Sequence, residues 1–556
     1  MLLSVSQYPP HKVGSVYILR DIITLYFDLR LNWWQSACND TLSKGKTIES
    51  MQEYLATIQK EMQRKNRSGQ RRKAVIFVND LDIVRCVLPD GETVSRRKDK
   101  KLEFSLEVET DFFVFRNFNI LFNRKTEKCA EMFPGVALCR AMAEYIKSFD
   151  LPITQMRFSL AYISKKIFYK DIKKELWEFA RENSLILKNP EYYMDMHAGA
   201  QGGALSMFQP EQLQKIFYNV LSFDKKSAYP SFFIKDKFFP TGKIIKLNLM
   251  PEKKIEMLRY RLGAGKWCKV VIEPPEIIPE LAQFKTPKKL LYGLEFWDFD
   301  TLKRCGIDIE RILDKYPFRL YISEATGYMP KCFREKIMEL YRMKNAERNK
   351  NSPKRFLYKT QLDMLYGKGL QKYDFKNRRD LFKKYALRGE NFLQPQMSMH
   401  VVAAMRHEIL LVVSHFGAGC ISFDTDGVKL QGDPDEIKHF FDLWNDFIIL
   451  QNEKSGFPSD IGTWDFEYEA ERFIQFAPKV YAYQCCDEGI VCKFAGMSER
   501  ALGKYMKTIN GDPFEVWQRD GIQAETGGGW IYIPEIPGFL EVKQKYIINN
   551  KGGEGK

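Results

Sequence analysis

The chain has 556 residues, 45% of them apolar, which is enough to bury a large core in several domains. Eighty-six lysines and arginines against 71 acids leave a formal charge of +15, which favours polyanionic partners, nucleic acid first and anionic membrane second. The eleven cysteines include no CxxC pair and no His/Cys cluster, so the sequence argues against a zinc site and for a reducing compartment. No signal peptide is visible, and no apolar run approaches the ~20 residues of a membrane helix.

The first part of the chain, through residue 190, mixes strand-like and helical patterns. The runs KAVIFVND and TDFFVFRNFNILF predict strands, and TIESMQEYLATIQKEMQR predicts a helix. Two basic clusters, at 63–73 and 96–101, are typical of solvated loops or of phosphate contacts. The glycine-rich stretch 198–206 predicts a loop.

Three aspartates follow apolar, strand-like runs in two separate parts of the chain. Asp224 ends the run in LSFDKKSAYPS, and Asp424 and Asp426 flank Thr425 at the tip of a predicted hairpin, ISFDTDGVKL. Residues i and i+2 of a strand point to the same side, so the paired carboxylates would repel each other without a cation between them. Mg²⁺ prefers oxygen ligands, and three such acids can hold two ions for phosphoryl transfer.

A helix is predicted over SPKRFLYKTQLDMLYGKG, between these acids. Its spacing places Arg355, Lys359, Asp363 and Tyr366 on one face, where two cations and a ring could grip a triphosphate and stack on a base. A salt-bridged surface helix is the alternative for this pattern alone.

Two further segments complete the pattern towards the carboxyl end. HVVAAMRHEILLVVSHF predicts an amphipathic helix. In FAPKVYAYQ, Lys479 and Tyr481 share one side of a strand, where they could contact a primer.

In this order the motifs resemble those of family B DNA polymerases. They are D-x-x-S-x-Y-P-S from Asp224, a lysine followed seven residues later by Tyr-Gly, then D-T-D, then K-x-Y. The QGG of Gln201–Gly203 resembles the Y-x-G-G loop of the protein-primed branch, which occurs in phages and linear plasmids.

The resemblance implies an α/β (α+β) multidomain fold, a right-hand polymerase with palm, fingers and thumb and an N-terminal exonuclease-like domain. The expected boundaries are 1–190 for the exonuclease-like domain, 191–240 and 398–485 for the palm, 241–330 for an insertion resembling the terminal-protein region, 331–372 for the fingers, 373–397 for a second insertion that encircles the template, and 486–556 for the thumb.

The resemblance also implies roles for individual residues. The metal-binding carboxylates would be Asp224 and Asp426, with Asp424 beside them as a third catalytic acid, and the cofactor would be two Mg²⁺ ions, with Mn²⁺ as a substitute. The residues expected to contact the incoming dNTP are Tyr229, Arg355, Lys359 and Tyr366, with Tyr229 excluding a 2′-hydroxyl. The residues expected to contact DNA are Gly202, Gly203, Gly367, Lys479 and Tyr481.

Several positions depart from the family pattern. The fingers motif carries Asp363-Met364 in place of Asn-Ser, and Ser422 and Gly427 stand where motif C usually has Tyr and Ser. Ala200 replaces the aromatic residue of Y-x-G-G. These changes leave the metal carboxylates intact, so we expect activity with altered fidelity.

The exonuclease motifs are more strongly changed. Ile23 stands where the first motif, which begins at Asp21, would need Glu, and FVNDLDIV only loosely matches the second. Asp150 lies five residues after Tyr145, where four is usual. Because an apolar side chain cannot hold Mg²⁺, we expect an exonuclease-like fold without hydrolysis.

The leading hypothesis is a template-directed DNA polymerase without 3′–5′ proofreading, encoded by a phage or mobile element. Its expected partners are primer-template DNA and dNTPs, with a terminal (priming) protein as a candidate and no membrane, in the cytoplasm of a bacterial or host cell. A template-independent or low-fidelity nucleotidyl transferase remains an alternative, as does a catalytically dead nucleic-acid-binding module. What primes synthesis is left open.

Overall fold

The computed structural model divides the chain into two compact units, residues 1–171 with 340–364 and residues 172–339 with 365–556. It describes residues 11–13, 16–18, 23–28, 33–38, 41–65, 71–78, 92–99, 102–110, 112–117, 168–170, 172–183, 192, 205–207, 215–284, 290–348, 353–370, 395–477, 480–486, 489–494, 502, 505–520, 522–532 and 539–548.

The first unit contains a nine-stranded sheet in the order β5-β4-β3-β6-β9-β8-β7, with β1 and β2 joined to it through β6. These strands are β1 His11–Val13, β2 Val16–Ile18, β3 Ile23–Asp28, β4 Trp33–Cys38, β5 Thr41–Lys46, β6 Arg71–Val78, β7 Glu92–Asp99, β8 Leu102–Glu109 and β9 Phe113–Asn117. The central pairs β3–β6 and β6–β9 are parallel. The apolar run of β6 is fully buried, as expected for a strand covered on both faces.

One helix of the first unit, α1 Ile48–Lys65, has a single buried stripe. Met51, Leu55 and Ile58 recur at helical spacing and are each 1% exposed. The predicted strands and helix of this region are therefore confirmed. The second basic cluster differs from the expectation of a loop, because its residues through Asp99 lie on β7, which forms an antiparallel pair with β8.

A seven-stranded antiparallel sheet forms the centre of the second unit, in the order β10-β16-β17-β11-β18-β19-β20. Its strands are β10 Leu205–Met207, β11 Ile216–Lys225, β16 Cys420–Asp424, β17 Gly427–Gln431, β18 Trp464–Ala477, β19 Val480–Gln484 and β20 Val491–Phe494. Strands far apart in sequence thus become neighbours. The sheet continues to Phe494, past the palm boundary expected at residue 485.

A separate four-stranded sheet, in the order β12-β15-β13-β14, occupies the segment expected to be an insertion. Its strands are β12 Phe239–Lys246, β13 Cys268–Ile272, β14 Tyr292–Glu295 and β15 Phe318–Gly327. The helices around it include α3 Ala228–Lys235, which precedes it, α4 Pro251–Gly263, α5 Phe296–Arg304 and α6 Ile309–Lys315. This segment has a hydrophobic core of its own, so it is a folded subdomain. In chain order, α2 Lys173–Asn183 lies before it.

The remaining helices and strands follow the subdomain. The helices are α7 Lys331–Ala346, α8 Pro353–Gly369, α9 Pro395–Phe416, α10 Pro434–Lys454 and α11 Pro513–Asp520. The strands β21 Ile522–Tyr532 and β22 Phe539–Ile548 pair as an antiparallel hairpin. The helix predicted over residues 352–369 is confirmed as α8, and Pro353 stands in its first turn, where proline is tolerated.

The first half of α9 is buried on all sides. Every residue from Pro395 to His407 is buried, including the charged side chain of Arg406. The expectation of one polar face fails for this half because His400 and Arg406 find partners inside the protein, whereas Ser414 and His415 of the second half are exposed. Within the part of the chain that the structure describes, Pro395–Gly419 is long and apolar enough to cross a membrane, with a mean hydropathy of 1.3, but a buried core helix meets the same test.

Buried charges join α9 to the four-stranded subdomain. His400 lies 2.9 Å from an Asp236 oxygen and 2.7 Å from a Glu295 oxygen. Burial lowers the pKa of His400, but the two carboxylates outweigh it and raise this pKa to about 10. Arg406 donates two hydrogen bonds of 2.8 Å to the Asp298 carboxylate, with both side chains at most 3% exposed. A change at any one of these groups leaves a buried charge without its partner.

We predict that Arg406→Ala destabilises the protein by about 3–5 kcal/mol, because it leaves the Asp298 carboxylate buried and unpaired. The free energy of unfolding from urea denaturation checks this value. Arg304→Ala is the matched control, since Arg304 and Asp300 form an exposed ion pair at 2.8 Å and should contribute about 0–1 kcal/mol. Equal effects of the two substitutions would contradict the argument.

Candidate active site

Asp224 stands at the end of the central strand of the seven-stranded sheet. The strand β11 buries Val220, Leu221 and Phe223, and Asp224 pairs directly with Gly427 of β17. The apolar run therefore fixes the strand in the core and presents the carboxylate at its end.

Asp424 and Asp426 lie at the tip of the hairpin formed by β16 and β17, which confirms the predicted hairpin. Asp424 is the last residue of β16, and Thr425 and Asp426 form a two-residue turn in which Thr425 has φ 57°. The sequence suggested that the two acids form an i, i+2 pair of one strand. In the structure only Asp424 lies in a strand, and Asp426 belongs to the turn. The Thr425 hydroxyl lies 3.1 Å from a carboxylate oxygen of each acid.

A backbone hydrogen bond fixes the hairpin tip against the end of β11. The Lys225 N–H donates to the Asp426 carbonyl oxygen at 2.9 Å, and the Asp426 N–H donates to the Asp424 carbonyl oxygen at 2.7 Å. Main-chain atoms, which carry no net charge, thus hold together three residues whose side chains repel one another.

The cost of this arrangement appears in the pKa of Asp224. Burial, with the nearby charges of Asp426 and Glu467, raises the pKa of Asp224 to about 7, while Lys429 and the Lys225 N–H act in the opposite direction. A cation between the carboxylates would favour the ionised form.

The donor set fits a divalent cation that shares its ligands with a substrate. Among the described residues, no group of three His, Cys, Asp or Glu side chains is arranged to hold a metal ion by itself. Mg²⁺ is commonly bound through one or two carboxylates, with substrate phosphates and water completing an octahedral shell. The oxygens of Asp224 and Asp426 can supply those protein ligands.

Tyr229 lies on α3, just after the end of β11. Ser227 precedes the helix with φ 47°, which turns the chain sharply after Asp224. The Tyr229 ring stacks on Tyr366 with centroids 4.0 Å apart and planes at 22°. The Tyr229 hydroxyl is buried and has no hydrogen-bond partner among the residues that the structure describes. The structure therefore pairs two residues that the sequence assigned to nucleotide contacts.

The other predicted residues of α8 have different surroundings. Lys359 is exposed and belongs to the first unit, as does Arg355. Arg355 donates to the carbonyl oxygens of Lys344 at 2.6 Å and Glu347 at 3.2 Å. It thereby satisfies carbonyl groups at the end of α7, a structural contact that the sequence did not suggest. Gly367 is exposed near the end of α8.

Tyr481 lies on β19 within an aromatic cluster. Its ring centroid is 6.4 Å from that of Tyr483, which stacks on Tyr468 at 3.8 Å. These rings line a cavity of about 580 Å³ with Glu467 and Lys493. The predicted residues Gly202, Gly203 and Lys479 lie outside the described residues, as do Asp21, Asp82 and Asp150.

Sequence reasoning missed two charged residues beside the acids, Glu467 and Lys429. Glu467 lies where β18 shifts register against β11, between Ser222 and Phe223, and accepts a hydrogen bond from the Ser222 hydroxyl at 2.8 Å. A bulge of this kind breaks the alternation that would have revealed it. Lys429 could have been found, because it follows Gly427 by two residues and shares its side of the strand.

Comparison with known proteins shows which class has this arrangement. Residues 137–387 match the family model described as DNA polymerase type B, organellar and viral. The fold is similar to that of Phi29 DNA polymerase in a complex with primer-template DNA, with a TM-score of 0.61 at 14% identity over 95% of this chain and 100% of that chain. The Phi29 ternary complex with primer-template DNA and incoming nucleotides has a TM-score of 0.59 at 14% identity, with the same coverage. A search of curated proteins finds no match.

The sheet with acids at its hairpin tip and the family match define a DNA-directed DNA polymerase. The segment 137–387 matches the family B DNA polymerases of the organellar and viral type. Its mixed α/β, multidomain fold confirms the expectation from the sequence. Polymerases of this family use divalent metal ions.

We predict that Asp224→Asn stabilises the metal-free protein more at pH 8 than at pH 4.5. The pKa of Asp224 is raised to about 7, so the folded state holds this proton more tightly than the unfolded state. Stability from the protonated group is present at low pH and is lost as pH rises towards 7. Asparagine cannot ionise and should remove that loss.

Thermal unfolding in a chelator at both pH values measures this difference. Asp442→Asn, on the exposed side of α10, is the control and should change the melting temperature little at either pH. An equal gain for Asp224→Asn at both pH values would show that ionisation of this carboxyl is not the cause.

Proposed function

We propose that the chain is a template-directed DNA polymerase that adds dNMP units to the 3′ end of a primer or to a protein primer. The observation that carries the proposal is the convergence of Asp224, Asp424 and Asp426 at adjacent strand ends. Tyr229, which lies on α3, stacks on Tyr366, and this pair also supports the proposal.

Asp224 and Asp426 are the proposed ligands for two Mg²⁺ ions, with Mn²⁺ as a substitute, and Asp424 is the third acid of the site. The bound ions supply positive charge for the attacking and leaving oxygens of phosphoryl transfer. The protein contributes rigid placement, since the Lys225 N–H and the hairpin fix the acids before substrate arrives. Lys359 is the proposed cation for the triphosphate.

The proposed partners are primer-template DNA and dNTPs, and a priming protein is a further one. Exposed apolar side chains on or beside the four-stranded subdomain support protein contact there; they are Leu249, Met250, Tyr260 and Ile277. An assay without any DNA primer, with and without template, tests priming and template dependence together.

Asp426→Ala should reduce dNTP incorporation by ~10³-fold or more, because it removes a ligand of the ions that stabilise the transition state. Primer extension measures the rate, and a fluorescence binding assay should show nearly unchanged affinity for primer-template. Asp442→Ala, on the exposed side of α10, should leave both unchanged. Full incorporation by Asp426→Ala would refute the proposed function.

Tyr229→Ala should admit ribonucleotides, because the ring is proposed to lie under the sugar and to exclude a 2′-hydroxyl. The ratio of kcat/KM for dNTP to that for rNTP should fall by more than tenfold, about the 1.4 kcal/mol of one modest steric contact. Tyr218→Ala is the control, since Tyr218 is 55% exposed on β11. An unchanged ratio would remove Tyr229 from this role.

We also infer that the first unit lacks 3′–5′ exonuclease activity. Ile23, which takes the place of a metal-binding Glu, is 1% exposed in β3, so this position faces the core and offers no oxygen ligand. A primer labelled at its 3′ end should stay intact with Mg²⁺ or Mn²⁺ when dNTPs are absent. Shortening abolished by Asp21→Ala or Asp82→Ala would reveal a working exonuclease, and shortening that survives both would reveal another nuclease site.

A further inference from the structure

A buried lysine lies behind the carboxylates of the active site. Lys429 pairs directly with Ser222 and Ser422 on the two neighbouring strands, one step along the same face from Asp224 and Asp424. Its side chain is 8% exposed. The amine is therefore inside the protein, where it cannot act as a surface contact for the phosphates of a nucleotide.

The surroundings of the amine are acidic and aromatic. Lys429 Nζ lies 3.8 Å from a Glu467 oxygen, and 5.9 Å and 5.7 Å from the ring centroids of Tyr468 and Tyr481. Burial lowers the pKa of Lys429, and four carboxylates oppose that effect; they are Glu467, Asp224, Asp424 and Asp426. The ammonium form thus has four negative groups around it and cation–π contacts beneath it.

The missing side chain at Gly427 leaves room for the Asp224 carboxylate. A Cβ at Gly427 would lie 3.3 Å from an Asp224 oxygen and from the Phe223 carbonyl oxygen, and at an ordinary contact distance of 3.8 Å from Lys429 Nζ. Gly427 is also one of the positions that depart from the family pattern. The Asp224 carboxylate and the Lys429 amine thus both lie against Gly427.

The lysine next to Asp224 has a different role. Lys225 is buried, forms an ion pair with Glu408, and lies over the rings of Phe232 and Trp464 at 5.3 Å and 5.5 Å. Alternation along β11 turns it away from the face that carries Asp224. Because Lys225 forms its ion pair with Glu408, it does not serve as a counter-ion of the carboxylate cluster in place of Lys429.

We propose that Lys429 is a positioning residue that acts as a counter-ion of the carboxylate cluster and keeps the nucleotide-free site from binding divalent ions tightly. The inference rests on the proposed function of the cluster as a metal site. One ammonium among four carboxylates holds Glu467 and Asp224 in place and cancels part of their charge. The phosphates of an incoming nucleotide are then needed to complete tight metal binding, which couples the metal to the correct substrate.

Mn²⁺ binding to the protein without DNA or nucleotide, measured by electron paramagnetic resonance at one pH, tests this role. Lys429→Met should bind Mn²⁺ about tenfold more tightly than wild type, because a positive charge close to the site is removed. Adding dNTP should strengthen Mn²⁺ binding less in this variant than in wild type. Lys429→Arg keeps the charge and should stay within about twofold of wild type.

The sign of the change separates this role from a merely structural one. If Lys429 only supported the fold, Lys429→Met would disorder the acids and weaken Mn²⁺ binding, and weaker or unchanged affinity would overturn the proposal. If Lys429→Met does not fold, as judged by its melting temperature, Lys429→Gln takes its place with the same expected direction. Asp426→Ala is the reference: Mn²⁺ binding by wild type that does not depend on Asp426 would mean that the metal-site assignment itself had failed.

Discussion

Repulsion between carboxylates is the constraint on which the rest of this active site depends. Asp224 and the hairpin acids would separate if only their side chains determined their positions. The buried strand β11, its pairing with β17 and the Lys225 N–H hydrogen bond hold them together through neutral main-chain atoms. The core of the seven-stranded sheet thus supplies the free energy that keeps the charged ends of its strands in place.

Buried charged side chains also have a structural role outside the site. The helix α9 carries His400 and Arg406 into contact with acids of the four-stranded subdomain. Such buried pairs add little net stability, but loss of one partner is costly. They therefore determine which surfaces of α9 and the subdomain pack together. The hairpin that carries Asp424 and Asp426 follows α9 in the chain, so its position depends in part on this packing.

The sequence by itself determined the chemical outline of this protein. The order of the motifs, the three aspartates at strand ends and the Tyr-Pro after Asp224 were enough to predict the family, the hairpin and the helix α8. These features depend on local rules, namely apolar alternation, a two-residue turn and helical spacing. The buried position of Ile23 likewise agrees with its apolar character, which the sequence shows directly.

Only the tertiary structure decided which distant residues act on the acids. The placement of Glu467 depends on a register shift between β11 and β18. The sequence places Lys429 near the hairpin acids, but its position beside Asp224 depends on the pairing of β17 with β11, about two hundred residues earlier in the chain. Likewise, the polar side chains of His400 and Arg406 on α9 are buried because they find partners in a segment far away in sequence. Burial and register are set by long-range packing, and local sequence patterns do not contain that information.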